Sequence, residues 1–233
     1  MKIGIIGAMV EEVELLRGRI EATDTRTLVG MEYVEGRLGG KDVVLVVCGV
    51  GKVNAAICAQ LLITEFGVTH IVFTGVAGSL DASVDICDIV VSTDCLQHDF
   101  DVSGLGYRPG VIPDQDVSCF VADETLRAVA VQAIREVAPE VGVHEGRVAS
   151  GDQFVADPVA NRRVNEEFGA LCCEMEGAAV AQVAWRNDVP YVVVRAISDR
   201  ADGAADEEYP NFKVEAANRS ASIIERLMQL IPA

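Results

Sequence analysis

What most restricts the fold of this chain is a set of short runs that are apolar at nearly every position. Ile71-Val72-Phe73 and Tyr191-Val192-Val193-Val194 are the clearest of them. A strand with one wet face alternates polar and apolar residues, whereas a run without alternation suits a strand covered on both faces. Such runs place strands at 2–7, 30–38, 42–49, 70–76, 87–96, 143–150 and 190–197. Between them, helical patterning runs over 10–20, 52–66, 123–137, 156–167, 176–187 and 211–230. In the last stretch Ala216, Ala217, Ile223, Ile224, Leu227 and Leu230 share one face. Strands that alternate with helices predict an α/β fold, a three-layer α/β/α sandwich around one mixed, twisted sheet. At 233 residues, one domain spanning 1–233 is large enough for a well-buried core. Only 98–120, rich in Gly, Pro and Asp, lacks periodicity, which marks it as a functional loop or an interface.

Charge narrows the function. There are 19 basic and 36 acidic residues, a net of −17. Such a surface repels DNA, RNA and anionic lipid, so neither nucleic acid nor membrane is an expected partner. No apolar run is long enough to span a bilayer, and no signal-peptide core opens the chain, so a cytoplasmic location is expected. Seven cysteines lie mostly in apolar strings and read as reduced, buried hydrophobes. The doublet Cys172-Cys173 fits packing better than a vicinal disulfide or a metal ligand set. Three scattered histidines give no basis for a metal centre.

Ligands of open α/β sheets bind beyond the carboxyl ends of the strands. Those ends carry Gly7-Ala8-Met9 with Glu12, Gly49-Val50-Gly51-Lys52, Thr74-Gly75-Val76-Ala77-Gly78 and Ser150-Gly151-Asp152-Gln153-Phe154. They continue with Cys173-Glu174-Met175-Glu176 and Arg195-Ala196-Ile197-Ser198-Asp199. The first end opens like a nucleotide-binding protein, yet Glu11-Glu12 follow where a phosphate would sit. Glu12, Glu176 and Asp199 with Arg195 are candidates to share one pocket. Grouped carboxylates raise one another's pKa, which separates an ionised base from a protonated acid. Glycosyl cleavage uses that division, and negative charge stabilises the developing sugar cation. Taken singly, Glu12 also fits a carboxylate in the first turn of a helix, and Asp199 a helix cap. Glu174 and Glu176 resist such readings: in CCEMEGAAVA a buried carboxylate needs a partner or a role, and Arg195 is available as that partner. Phe154 and Met175 fit ordinary core equally well.

Seven blocks in order, KIGIIGAMVEEVELL, CGVGKVNAA, TGVAGSL, HDFDVSGLGY, SGDQF, EMEGAAVAQVA and VPYVVVRAISD, cover nearly the whole chain. In these the sequence resembles the 5'-methylthioadenosine/S-adenosylhomocysteine nucleosidases of the purine nucleoside phosphorylase-like superfamily. The resemblance implies that fold and hydrolysis of the adenine–ribose bond of 5'-thio-substituted adenosines, without metal or cofactor. It implies Glu12 as the base on water and Asp199, held by Ser198, as the acid to the purine. Glu176 would bond the ribose hydroxyls, Met175 would pack on the sugar and Arg195 would orient the water or the carboxylates around it. Phe154 would stack on adenine, with the Val155 backbone reading its edge and Ala77 and Gly78 lining the base pocket. Met9, Val50 and Tyr209 would contact the sugar or the 5'-group. The family is usually a homodimer, and Leu105, Tyr107 and Pro113 match the segment that closes the neighbouring 5'-pocket.

Four positions depart from the pattern. Val76 stands where many members have a serine, Leu105 replaces a more usual aromatic, and Gln153 and Gly177 differ from the common versions. Related hydrolases act on 5'-deoxyadenosine or 6-amino-6-deoxyfutalosine. The alternatives to a nucleosidase are a phosphate-dependent nucleoside phosphorylase and a non-catalytic nucleoside-binding protein. Phosphorylase relatives carry arginines near the first strand; here the first arginine is Arg17, on the following helix.

Overall fold

The computed structural model describes residues 1–200 and 219–232, apart from the Glu12 side chain. Its first half contains β1 (Lys2–Gly7), α1 (Val10–Arg17), β2 (Glu21–Leu28), β3 (Met31–Leu38), β4 (Lys41–Val47), α2 (Lys52–Thr64), β5 (His70–Ser79) and β6 (Ile89–Gln97). The second half contains β7 (Cys119–Val121), α3 (Glu124–Val137), β8 (Val143–Ser150), α4 (Pro158–Phe168), β9 (Ala170–Glu174), α5 (Gly177–Arg186) and β10 (Tyr191–Asp199). Residues 219–230 are helical and are termed α6. No helix among the described residues is long and apolar enough to cross a membrane.

One mixed sheet takes all ten described strands. β1 lies between β4 and β5, parallel to both, and β10 extends this set parallel to β5. β3 and β2 add antiparallel pairings beyond β4. β6, β8 and β9 make a second parallel set running the opposite way. The two sets join twice, β10 to β6 and β5 to β9, both antiparallel. The five strands β5, β10, β6, β8 and β9 therefore close into a ring. The β5–β9 contact is only Gly78↔Cys173 and Ser79↔Cys172, so the carboxyl ends of the two sets overlap at their tips. Two groups of ligand-binding strand ends thus face one another.

Strand periodicity sorts the core into layers. Ile6, Val44, Val46 and Phe73 point to the face covered by α2 and α5. Ile3, Ile5, Val43, Leu45 and Val72 point to the face covered by α1, α3 and α6. A smaller cluster of Leu80, Leu96, Val164 and Phe168 lies under α4. This is the sandwich that the apolar runs predict. All seven cysteines are unbonded; five are buried, Cys172 and Cys173 among them as packing requires, but Cys87 is half-buried and Cys119 is exposed at the short β7, against the expectation of burial. Of the described strands, β2, β7 and β9 are those that hydrophobic pattern misses. β2 has no buried residue, while β7 and β9 are three and five residues long. Their pairing partners hold them in the sheet.

One close approach fixes where β2 begins. A Cβ added at Gly36 would lie 2.5 Å from both the Glu21 carbonyl oxygen and Ile20 Cγ2. The backbone entering β2 would have to move. Gly36→Ala is expected to lower stability by about 1–3 kcal/mol, read as a lower urea midpoint at unchanged m-value. An unchanged midpoint would contradict this.

Candidate active site

The facing strand ends surround a cleft of about 580 Å³, its solvent-open mouth included. Ala8 and Met9 follow β1, Val50 follows β4, and Val76, Ala77 and Gly78 come from β5. Phe154 comes from the loop after β8, and Cys173, Glu174, Met175 and Glu176 from the end of β9 and the turn into α5. Ser198 and Asp199 close it from the end of β10. The structure thus brings together Met9, Val50, Ala77, Gly78, Phe154, Met175, Glu176, Ser198 and Asp199. Among the described residues, no lysine or arginine lines the cleft.

Glu174 ties the end of β9 to its surroundings. Its Oε2 accepts from Arg195 Nε at 3.2 Å and from Arg195 Nη2 in a shorter contact. The Gly177 N–H donates to both carboxylate oxygens, at 2.9 and 2.8 Å, and the Glu176 N–H to Oε2 at 3.3 Å. A negative charge there complements the positive end of the α5 dipole. Ser150 Oγ donates to Oε1 and itself accepts the Ala178 N–H at 2.7 Å. A Cβ on Gly177 would sit 3.1 Å from Glu174 Oε1, so the turn into α5 packs closely on this carboxylate. Arg195 is 1% exposed, with its guanidinium 4.0 Å from the centre of the Phe73 ring. It therefore touches the cleft through Glu174, which is the pairing that the buried sequence context requires.

Glu176 projects to another helix. The Gly51 N–H, at the start of α2, donates to Glu176 Oε1 at 2.7 Å. At the end of β10 the pairing with β5 slips between Ile197↔Ala77 and Asp199↔Gly78. Irregularities of this kind re-aim side chains, and here Ser198 Oγ donates to Asp199 Oδ2 at 2.8 Å. Both residues are buried. Phe154, 60% exposed, offers its ring at the cleft instead of packing in the core.

Of the other candidates, Val155, Leu105, Tyr107 and Pro113 are not among the residues lining the cleft, and two fall on undescribed parts of the chain. The Val155 side chain is buried with Leu80 and Phe168. Leu105 and Tyr107 are exposed on the irregular segment after β6, where Ser103–Leu105 form a 3-10 turn, and Pro113 is half-buried. Glu12 falls in the first turn of α1, with its side chain outside the described atoms. Tyr209 lies outside the described residues. Ala8, Val76, Cys173 and Glu174 also line the cleft and are not among the site residues that the sequence predicts. For Glu174 the signal in the sequence is its apolar context.

His98 packs against the same loops. A Cβ on Gly151 would lie 2.4 Å from its Nε2, an atom that is buried with no hydrogen-bond partner among the described residues. Burial pushes the His98 pKa below its ordinary 6.5, against the pull of Asp99. Because the unfolded chain takes up this proton first, stability is complete above the unfolded pKa and falls as pH drops from there toward the folded value.

Two outcomes follow from these environments. Glu174→Ala removes the described carboxylate partner of the buried Arg195 cation and is expected to cost about 3–5 kcal/mol in chemical denaturation; a cost under about 1 kcal/mol would contradict the pairing. Wild type should lose thermal stability from about pH 7 to pH 5 more steeply than His98→Leu. Equal slopes would contradict a neutral, buried His98.

Similarity to known proteins agrees with this geometry. Residues 2–229 match the family model described as the phosphorylase superfamily. A 5'-methylthioadenosine/S-adenosylhomocysteine nucleosidase of Shewanella frigidimarina is 41% identical, over 98% of this chain and 99% of the relative. The crystal structure of such a nucleosidase from Colwellia psychrerythraea, in complex with adenine, superposes with a TM-score of 0.94 at 33% identity, over 99% of this chain and 96% of that one. The native structure of a Helicobacter pylori futalosine hydrolase gives 0.91 at 34% identity, over 97% of both chains. The chain belongs to the phosphorylase superfamily and, within it, to the 5'-methylthioadenosine/S-adenosylhomocysteine nucleosidase family.

Proposed function

We propose that this chain hydrolyses the N-glycosidic bond of 5'-methylthioadenosine and S-adenosylhomocysteine, and also of 5'-deoxyadenosine. The products are adenine and the 5-substituted ribose, which places the enzyme in methionine salvage and the recycling of methyl-cycle by-products. The observation that carries this reading is the charge of the cleft. Glu174, Glu176 and Asp199 line it without a described lysine or arginine. In phosphate-binding proteins, helix N-termini hold the anion; here the α5 terminus holds Glu174 and the α2 terminus holds Glu176. Such a site favours a cationic sugar and a water nucleophile over a phosphate co-substrate.

In this mechanism Asp199 protonates the five-membered-ring nitrogen of the purine. The C1'–N bond breaks, its electron pair leaves with adenine, and positive charge develops on the ribose. Water adds to C1' and gives its proton to Glu12. Ser198 steadies Asp199 by its hydrogen bond. Glu176 accepts from the ribose hydroxyls, and Arg195 acts through Glu174. Phe154 stacks on the base, the Val155 backbone reads its edge, and Ala77 and Gly78 flank it. Met9, Val50, Met175 and Tyr209 contact the sugar and the 5'-group.

The working form is a cytoplasmic homodimer. Leu105, 76% exposed, and Tyr107 are apolar surface that a second subunit would cover, and Pro113 belongs to the same 5'-pocket segment. A second reading, hydrolysis of 6-amino-6-deoxyfutalosine, draws support from the likeness to the futalosine hydrolase fold. A phosphorylase or a non-catalytic binder accords less well with this acidic cleft.

Asp199→Asn should reduce adenine release from methylthioadenosine by about 10²–10⁴-fold with the fold intact by circular dichroism; near-normal turnover would remove Asp199 from its role. A panel of methylthioadenosine, adenosylhomocysteine, 5'-deoxyadenosine and aminodeoxyfutalosine should show the thioethers turned over best. Preference for the last substrate would favour the second reading.

A further inference from the structure

Three loops at the rim of the cleft meet at one lysine. Lys52, the first residue of α2, is engaged at both of its ends. Its backbone N–H donates to Asp152 Oδ1 at 2.8 Å, and its ammonium donates to Asp99 Oδ1 at 2.5 Å and to Gln97 Oε1 at 3.0 Å. Asp99 closes the ring, because its Oδ2 accepts the Asp152 N–H at 2.9 Å. The ring joins the loop after β4, the loop after β8 that carries Phe154, and the segment after β6 that carries Leu105.

Gly51 connects this ring to the cleft. It has φ 99° and ψ 155°, a conformation open essentially to glycine, and a Cβ there would lie 3.2 Å from Asp152 Oδ1. Its orientation is fixed on one side by the Lys52–Asp152 bond. On the other side its N–H holds Glu176 Oε1. The path from ammonium to sugar carboxylate is therefore Lys52, Asp99, Asp152, Gly51, Glu176. The Lys52 and Asp99 side chains are 17% and 16% exposed, so solvent screens their pairing less than it would a surface ion pair. Burial opposes ionisation of Asp99, but the Lys52 ammonium and the Asp152 N–H outweigh it and hold the carboxyl below its usual range.

We propose that Lys52 and Asp99 are positioning residues, which set Glu176 against the ribose hydroxyls through Gly51. The proposal rests on the reading of Glu176 as the sugar carboxylate. A purely structural pair would affect stability alone. A positioning pair also affects how well the enzyme tells a ribose hydroxyl from its absence. A shift of about 1 Å at a substrate-positioning group costs up to about 10²-fold.

The test compares kcat/KM for methylthioadenosine with that for its 2'-deoxy analogue, in wild type, Lys52→Met, Asp99→Asn and Glu176→Gln. Lys52→Met keeps the backbone bond to Asp152 and removes only the ammonium. The ribose preference is expected to fall about tenfold or more in both pair variants, and no further in their double variant. Lys52→Arg, which restores a cation, should recover part of it. Should Lys52→Met not fold, Asp99→Asn and Lys52→Arg carry the comparison. A preference kept at the wild-type value in the pair variants, while Glu176→Gln loses it, would overturn the coupling. A preference unchanged in Glu176→Gln as well would remove the sugar-carboxylate reading, and this inference with it.

Discussion

The contact between Glu174 and Arg195 holds the centre of this molecule. Arg195 comes from β10 and Glu174 from β9, two strands that run in opposite directions and reach the cleft from different sides of the ring. A buried cation and a buried anion are each costly alone, so the pair constrains both strands to one arrangement. The same carboxylate takes the first N–H groups of α5 and the Ser150 hydroxyl. One side chain thereby fixes the direction of α5, the end of β8 and the turn that presents Met175 and Glu176.

From that arrangement the chemical character of the cleft follows. Helix N-termini in α/β proteins attract anions, and in this chain its own carboxylates occupy them. Asp152 shares the α2 terminus with Glu176, binding the Lys52 N–H. The cleft offers negative charge from Glu174, Glu176 and Asp199 and apolar walls from Met9, Val50 and Val76. The phosphorylase-superfamily fold here carries a cleft lined by carboxylates and, among the described residues, by no lysine or arginine.

Much of the fold is legible in the sequence because the central strands are buried on both faces and must be apolar throughout. β1 and β8 match their sequence bounds residue for residue, and β5 runs three residues beyond its expected end. β2 is invisible to that criterion, since its pairing with β3 supplies no buried side chain of its own. The site is legible where glycines and carboxylates cluster at strand ends. Pairings between residues far apart in the chain are not: Gly51 meets Glu176 across 125 positions. Nothing in either local pattern encodes that contact, which arises only when α2 and α5 pack on the same face of the sheet. Glu174 is intermediate. Its apolar neighbours demand a partner, but its support of α5 depends on a helix direction that periodicity alone does not give.

On the proposed function, the acidic cleft directs water, not phosphate, to the sugar. The most direct measurement follows adenine release from methylthioadenosine in phosphate-free buffer and again with phosphate added, with ³¹P NMR of the products. Equal rates and no new phosphate ester are expected. Adenine release only with phosphate, accompanied by a sugar 1-phosphate resonance, would contradict it.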